Sequence, residues 1–214
     1  MTLEITVRGS AEQHYPAERA VVSMAAALEG DAKDAVFREA VAVQDPLTAQ
    51  LKELSHKNAV SSWSSEQVRV FSHRPWDGER RQQTVHVARV GVVAEFTDFE
   101  RLSGFLDFWS GKDGVEIHGI TWDVTTKNRR TYEAEVRKAA VDDAVAKAQA
   151  YADAVRRGRV TAVQLADPGM LGTSDDRPSP MLKASFDAAG TPSLELAPEE
   201  IVIHVEVDAR FSAT

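Results

Sequence analysis

Three side chains that can bind a metal ion or move a proton alternate along the last predicted strand. His204, Glu206 and Asp208 lie two residues apart within 201–211, so an extended backbone places them on one face, with neighbours about 6.5–7 Å apart. Imidazole and carboxylate groups at that spacing can supply part of a metal site if another strand adds a ligand. The same alternation is the ordinary outer face of a half-buried strand, and we favour that interpretation.

Two further histidines, His86 and His118, lie on other predicted strands. A site shared with His204 is conceivable, but no ligand spacing connects the three, and structural histidines with local partners are the simpler interpretation. The chain has no cysteine, which excludes disulfides, thiolate zinc sites and cysteine nucleophiles. It also lacks G-x-S-x-G, H-E-x-x-H, a phosphate-binding glycine loop and a dinucleotide fingerprint. We therefore predict no metal, no other cofactor and no catalytic residue.

A basic and aromatic segment, 74–81, lies between two predicted strands. Its Pro75 and Asp77-Gly78 favour a tight reversal, so the segment is predicted to be the tip of a hairpin. The tip carries Arg74, Trp76, Arg80 and Arg81. Such a tip can bind single-stranded nucleic acid, but a formal net charge of -8 opposes that. We predict no nucleic-acid partner and leave two interpretations, a protein contact and a plain exposed turn.

A long segment, 168–198, is rich in proline, glycine and serine and has no clear period. Loops of this length in a compact domain are usually functional, partner-contacting or disordered. Its Asp175-Asp176 pair can touch a cation, but two carboxylates without a third ligand are usually solvated. Its apolar residues must pack on the body or on a neighbouring subunit, and both alternatives stay open. These residues are Met170, Leu171, Met181, Leu182 and Phe186.

The first half of the chain alternates strands and helices that would hold these residues. Apolar alternation over 3–7 predicts a strand with one buried face, and 19–28 is apolar on both faces, which is typical of a central strand. Apolar residues recur at helical spacing from 37 up to residue 57. This predicts a helix with Asp31 as its N-cap and a kink or break at Pro46. Strands are predicted over 60–72 and 83–96, and together they should form the long hairpin whose tip is 74–81. A short helix capped by Thr97-Asp98 and a strand over 115–125 follow.

An alanine-rich, charged helix over 130–157 dominates the last third. Small side chains let a helix lie close to a sheet, Asp143 and Lys147 have the spacing of an ion pair, and Gly158 is the predicted C′ residue. Strands over 160–166 and 201–211 end the chain. The order ββαββαβαββ predicts an α+β fold, a mixed and mainly antiparallel sheet with two long helices and one short helix on one face. The length of 214 residues allows one large domain or two small ones, and we predict a single domain over 1–214 with the long loop at 168–198.

The order of these segments resembles the SIMPL-domain family. The resemblance rests on Val7-Arg8-Gly9 with Pro16 to Met24, on the 74–78 tip with the helix start at Thr97 to Leu102, and on the block from Ile120 through the alanine-rich helix to Leu165. It covers nearly the whole chain, although the usual Gly-x-Gly near the start is here Gly9-Ser10-Ala11. It implies a bacterial or animal protein that self-assembles into large oligomers, has no agreed catalytic residues and is associated with stress tolerance.

These observations leave two main functional hypotheses. The first is a non-enzymatic, oligomeric scaffold or binding module of a bacterial cell, with a link to stress. A weaker form of it is an adaptor that presents the 74–81 hairpin or the 168–198 loop to another protein. The second is a small-ligand- or metal-dependent enzyme with a pocket under 168–198. The candidate partner contacts are Arg74, Trp76, Arg80, Arg81, Met170, Met181, Leu182 and Phe186.

The ends and the apolar segments of the chain bear on its location. Residues 1–10 lack the basic and apolar regions of a signal peptide, so we expect a cytoplasmic protein, or an envelope protein if a leader has been removed. The longest apolar stretch, 20–28, is too short to span a bilayer, and we expect no membrane span.

Overall fold

The computed structural model describes residues 2–78, 80–81, 83–171 and 196–214. Its elements are β1 Leu3–Tyr15, β2 Arg19–Gly30, α1 Lys33–His56, β3 Val60–Ser65, β4 Arg69–His73, β5 Trp76–Asp77, β6 Arg80–Arg81, β7 Val85–Phe96, α2 Phe99–Ser110, β8 Val115–Asp123, α3 Thr126–Ala154, β9 Thr161–Ala166 and β10 Ile201–Ala213. The predicted α+β class and the mainly antiparallel pairing are confirmed. The strands do not form one sheet, however, because they are divided between two larger sheets and a short ribbon. Two compact units result: β1, α3, β9 and β10 in the first, and the elements from β2 to β8 in the second.

The first unit is a three-stranded antiparallel sheet with α3 on one face. Strand order is β1-β10-β9, and the two ends of the chain pair from Leu3 opposite Ala213 to Tyr15 opposite Ile201. The alternation predicted for both strands is confirmed, because their apolar residues form one core with the alanines of α3. Buried members of that core are Ile5, Ala140, Ala144, Ala148, Ala152, Val207, Ala209 and Phe211.

Helix α3 crosses β1 at Gly9, where the two backbones lie unusually close. A Cβ atom at position 9 would overlap the carbonyl oxygen of Ala140 and lie 2.7 Å from the Cβ of Ala144. Carbon atoms in good contact are about 3.5–4.0 Å apart. Glycine at position 9 and alanine on the facing helix are therefore joint requirements of this packing.

The predicted ion pair of α3 also closes part of the outer edge of β1. Lys147 Nζ lies 2.6 Å from Asp143 Oδ2. The same carboxylate oxygen accepts the N–H of Ser10 at 2.8 Å, and Lys147 donates to the carbonyl of Arg8 at 3.1 Å. The bond from Lys147 and that from the Ser10 N–H lower the pKa of Asp143. The pair thus occupies backbone groups that an exposed edge strand would offer to another chain.

The ends of α3 differ from the predicted ends. The helix starts at Thr126, where the hydroxyl of Thr125 accepts the N–H of Asn128 at 3.3 Å. Gly158 is not its C′ residue, because the helix ends at Ala154 and Arg156 adopts the left-handed conformation with φ 59°. The N–H of Arg157 then reaches the carbonyl of Ala152 at 2.8 Å, as in a Schellman motif. Gly158 instead donates to the carbonyl of Thr214 at 2.9 Å.

The second unit is a five-stranded antiparallel sheet covered on one face by α1 and α2. Its order is β3-β7-β2-β8, with β4 also paired to β7, so β2 is central as predicted. Asp98 caps α2 by accepting the N–H of Arg101 at 3.0 Å, in agreement with the sequence. The core contains Val22, Met24, Leu47, Leu51, Phe96, Leu102, Phe105 and Leu106.

Three expectations for this unit need correction. The N-cap of α1 is Ala32, which makes no side-chain capping bond, rather than Asp31. Pro46 lies inside a continuous helix, because burial of Val36, Leu47 and Leu51 at 0–1% exposure offsets the roughly 3 kcal/mol that an interior proline costs. The strand predicted over 60–72 is divided into β3 and β4, which both pair with β7.

Candidate functional site

The outer face of the three-stranded sheet carries a row of ionisable side chains, which we call the charged row. The register places Glu12 opposite His204 and Arg8 opposite Asp208. His14 and Glu206 follow at the two-residue spacing of the strands, and Glu200, just before β10, contacts His14. In order, the charged row is Glu200, His14, Glu12, His204, Glu206, Arg8 and Asp208. Successive members lie 2.7–3.7 Å apart at their nearest nitrogen and oxygen atoms.

Asp208 ends the charged row and is its most buried member, at 8% exposure. Arg8 binds it through Nε to Oδ1 at 2.7 Å and Nη2 to Oδ2 at 3.2 Å, and the N–H of Gly169 donates to Oδ2 at 2.7 Å. The bond from Arg8, followed by that from Gly169, lowers the pKa of Asp208 against the opposing effect of burial. The carboxylate also raises the pKa of Arg8. Asp208 therefore fixes the turn after β9 onto the sheet.

His204 and Glu206 lie together on this face as predicted, but each already has ionic partners within the charged row. His204 lies 3.7 Å from both Glu12 and Glu206, and Glu206 lies 3.4 Å from Arg8. Within the described ranges, no group of three or more His, Asp or Glu side chains is arranged to hold a metal ion.

The other predicted histidines have local partners in the five-stranded unit. His86 Nδ1 lies 2.6 Å from the hydroxyl of Ser72, and His118 Nε2 lies 2.7 Å from Arg89 Nη2. They are on β7 and β8, whereas His204 is on β10. A site shared by the three histidines receives no support from these contacts.

The charged row has an excess of acid. It contains four carboxylates and one permanent cation, Arg8, with two histidines between them. Such a face attracts cationic groups of a partner and repels anions. The row can therefore bind a basic surface without any catalytic step.

The 74–81 segment forms the tip of the hairpin, as predicted. In the β5–β6 ribbon Trp76 pairs with Arg81 and Asp77 with Arg80, and Gly78 takes a positive φ of 47° at the turn. Arg74 donates from Nε to the hydroxyl of Thr84 at 2.9 Å. Trp76 is 74% exposed, so the tip presents an indole ring, and the same segment of the sequence contains three arginines.

Part of the 168–198 segment is also described. Met170 is 75% exposed and follows Gly169, the residue bound to Asp208, while Leu171 is half-buried. Met181, Leu182, Phe186 and the Asp175-Asp176 pair lie outside the described residues. Met170 therefore adds an apolar side chain next to the Asp208 end of the charged row.

The tryptophans other than Trp76 are packed in the five-stranded unit. Trp109 is 4% exposed and donates from Nε1 to Gln50 Oε1 at 2.8 Å, and Trp63 and Trp122 pack against the same core. These three indole rings are therefore part of the packing of the five-stranded unit.

Sequence reasoning missed the half of the charged row that comes from β1. Arg8 and Glu12 continue the alternation that begins with the apolar residues of β1 and lie on the opposite face from Val7 and Ala11, and that alternation was the available signal. Their significance depends on pairing between the two ends of the chain, which local spacing does not give.

These features define an α+β protein with two antiparallel sheets, an acidic sheet face and an exposed aromatic tip. The model of the SIMPL family, described as a protein of unknown function (DUF541), matches residues 5–211. The chain therefore belongs to the SIMPL family, and the resemblance is confirmed. No curated protein matches the chain. Among the described residues, no helix has both the length and the apolar character needed to cross a membrane.

Proposed function

We propose that this SIMPL protein is a non-enzymatic module that self-assembles, with the 74–81 tip of one copy bound to the charged row of the next. The observation that carries the proposal is the exposure of Trp76 and Met170, at 74% and 75% the most exposed large hydrophobic side chains that the structure describes. Tryptophan and methionine are enriched at protein interfaces relative to the rest of the surface.

Charge complementarity selects a second copy of the chain as the partner. The tip contributes Arg74, Arg80 and Arg81, whereas the charged row has four carboxylates and one permanent cation. Arginine and tryptophan are enriched among residues that dominate binding energy. Because tip and row are different surfaces, the contact is heterologous and adds copies in a ring or a filament.

The proposal extends to the remaining partner contacts and to the biology of the family. Met181, Leu182 and Phe186 are proposed to add to the same interface, and residues 1–214 to act as one SIMPL-like domain, which the single match over 5–211 supports. A role in stress tolerance in a bacterial cell is part of the same proposal. It is tested by comparing the survival of cells with and without the gene under a panel of stress conditions.

Complementary charge reversal tests the assembly directly. A tip variant, Arg80→Glu with Arg81→Glu, and a row variant, Glu12→Lys with Glu200→Lys, are each expected to be monomeric by light scattering. Mixed together, the two should form a complex, because an acidic tip then meets a basic row. A control with Arg38→Glu and Lys52→Glu on α1 should assemble as the wild type does.

Salt provides a second measurement of the same contact. Exposed charges are screened within about 3 Å at 1 M salt, against about 10 Å at 0.1 M, so assembly should weaken as salt rises. A wild-type chain that stays monomeric across micromolar concentrations at low salt would refute the proposal. Assembly that survives both charge-reversed variants would show that other surfaces join the copies.

A small-ligand- or metal-dependent enzyme is the alternative proposal, with His204 or Glu206 beside a pocket under 168–198. Metal analysis of protein purified without a histidine tag, together with a thermal-shift ligand screen, separates it from the assembly module. A stoichiometric metal would favour the enzyme.

A further inference from the structure

The outer face of the five-stranded sheet, opposite α1 and α2, contains a depression of about 270 Å³. Its floor is made of small residues on neighbouring strands, since Ala25 of β2 is paired with Gly91 of β7 and Ser23 with Val93. Ser64, Glu66, Arg89 and His118 complete its lining. The volume is just below the roughly 300–1,000 Å³ of sites for drug-sized ligands, which suits a ligand the size of a single amino acid.

A carboxylate lies over one side of this floor. The N–H of Glu66 donates to the carbonyl of Gly91 at 2.8 Å, which fixes the start of the Glu66 side chain at the sheet. A Cβ on Gly91 would lie 3.1 Å from Glu66 Cδ and 3.2 Å from its Oε2. The absence of a side chain at position 91 therefore leaves room for the carboxylate to rest on the sheet.

A cationic group lies on the other side. Arg89 of β7 reaches β8, where its Nη2 is 2.7 Å from His118 Nε2 and its Nη1 is 3.4 Å from Glu116 Oε2. Glu66 has its own ion pair with Arg69, at 3.8 Å. The depression thus has a carboxylate on one wall and a guanidinium on another, each paired outside it and each about half exposed or more.

We propose that this depression binds a small zwitterion, a free α-amino acid, with its carboxylate on Arg89 and His118 and its ammonium on Glu66. The hydroxyls of Ser23 and Ser64 line the space between the two charged walls and can complete the hydrogen bonds of the ligand. Half-exposed ion pairs contribute little, so Arg89 can exchange Glu116 for a ligand carboxylate at small cost.

Ligands with one sign of charge fit this site less well. An anion such as phosphate would meet Glu66 and Glu116 as well as Arg89, and a metal cation would meet the guanidinium. A zwitterion pairs with both walls at once, and each charge-assisted hydrogen bond is stronger than a neutral one. This site is independent of the assembly proposed above, since it uses neither the tip nor the charged row.

Saturation-transfer NMR on the full chain, with a pool of the twenty common L-amino acids and then with each one, tests the proposal. At least one is expected to bind below about 10 mM, a weak but measurable affinity. The N-acetyl derivative of that amino acid, which lacks the ammonium, and its amide, which lacks the carboxylate, should each bind about tenfold more weakly or not at all. The amide resonances of Ser23 and Gly91 should shift on binding.

Single substitutions then locate the two charges of the ligand. Arg89→Gln and Glu66→Gln should each weaken binding about tenfold or more. The control is Arg38→Gln, an exposed arginine on α1 that touches no residue of the depression, and it should leave binding unchanged. Both positions are exposed, so the variants are expected to fold, and circular dichroism verifies this. Failure of all twenty amino acids to bind at about 10 mM, or binding that neither variant changes, would overturn the proposal. Equal binding of the acetylated and free forms would do the same.

Discussion

Replacing Gly9 by alanine should push α3 away from β1 and destabilise the three-stranded unit. The new Cβ would overlap the carbonyl oxygen of Ala140 and lie 2.7 Å from the Cβ of Ala144 and 2.8 Å from its nitrogen. These are backbone atoms and a short side chain, so no rotamer change relieves the contact. Since a good contact needs about 3.5–4.0 Å, the helix must move by about 1 Å.

The cost of that movement extends along the whole helix face. Ala140, Ala144, Ala148 and Ala152 are all 0% exposed against the sheet, and a gap of about 0.5–1 Å forfeits a quarter to a half of each dispersion contact. Overpacking typically costs about 1–3 kcal/mol, and a rigid site belongs at the upper end. We expect Gly9→Ala to lower the free energy of unfolding by about 3 kcal/mol, or the melting temperature by roughly 6–12 °C.

Urea unfolding followed by far-ultraviolet circular dichroism measures this change. Tryptophan fluorescence reports separately on the other unit, because all four tryptophans lie between residues 63 and 122. The matched control is Gly104→Ala in α2, where a Cβ would have no atom within 4 Å, and it should gain up to about 1 kcal/mol. If Gly9→Ala unfolds at the same urea concentration as the wild type, the close approach of α3 is wrong.

Three further predictions concern electrostatics. Because Arg8 and Gly169 hold the pKa of Asp208 below its value of about 3.9 in the unfolded chain, its contribution to stability is fully present above about pH 4 and is lost as pH falls through the folded pKa. Asp208→Asn should therefore cost about 2 kcal/mol at pH 7, and the cost should fall progressively as the pH is lowered below about 4. Urea titrations over this pH range measure the cost, and a cost that does not change with pH would contradict the reasoning. Asp143→Ala leaves the N–H of Ser10 without its acceptor and the ammonium of Lys147 without its carboxylate partner, and it should cost about 1 kcal/mol, measured by thermal unfolding, with Asp142→Ala beside it as control. Dialysis against a chelator should leave the melting temperature unchanged, whereas a rise on adding Zn²⁺ that His204→Ala abolishes would support the metal-dependent alternative.

Local patterns predicted the elements of this chain because the buried faces are regular. Alternation in β1 and β10 gave the correct inward residues, and the cap of α2 was predicted at Thr97-Asp98, where Asp98 makes the capping bond. The predictions failed where tertiary contacts outweigh local preference. Pro46 stays helical because the helix around it is buried, and Arg156 takes the left-handed position that glycine normally takes because the chain must turn two residues before Gly158.

The candidate surfaces were predictable only where one segment contains them. The 74–81 tip is contiguous, so its residues and its reversal were found together. The charged row and the depression are each built from strands far apart in sequence, such as β1 with β10 and β7 with β8. Since a shift of one residue in register would turn every side chain to the other face, no local pattern could have placed Glu12 beside His204 or Arg89 beside His118.

Gly9 connects the fold to the proposed surface. With glycine at position 9 and alanines along the facing stripe, α3 lies close enough to β1 for Asp143 and Lys147 to reach Ser10 and Arg8 at its edge. The backbone of Arg8 is thereby bound on the edge while its side chain binds Asp208 on the outer face. Moving the helix outward would loosen the edge contact of the Arg8 backbone and the contact of its side chain with Asp208. Gly9→Ala should therefore also weaken assembly through the charged row. If Gly9→Ala is destabilised yet assembles as tightly as the wild type, assembly through the charged row does not depend on the packing of α3 against β1.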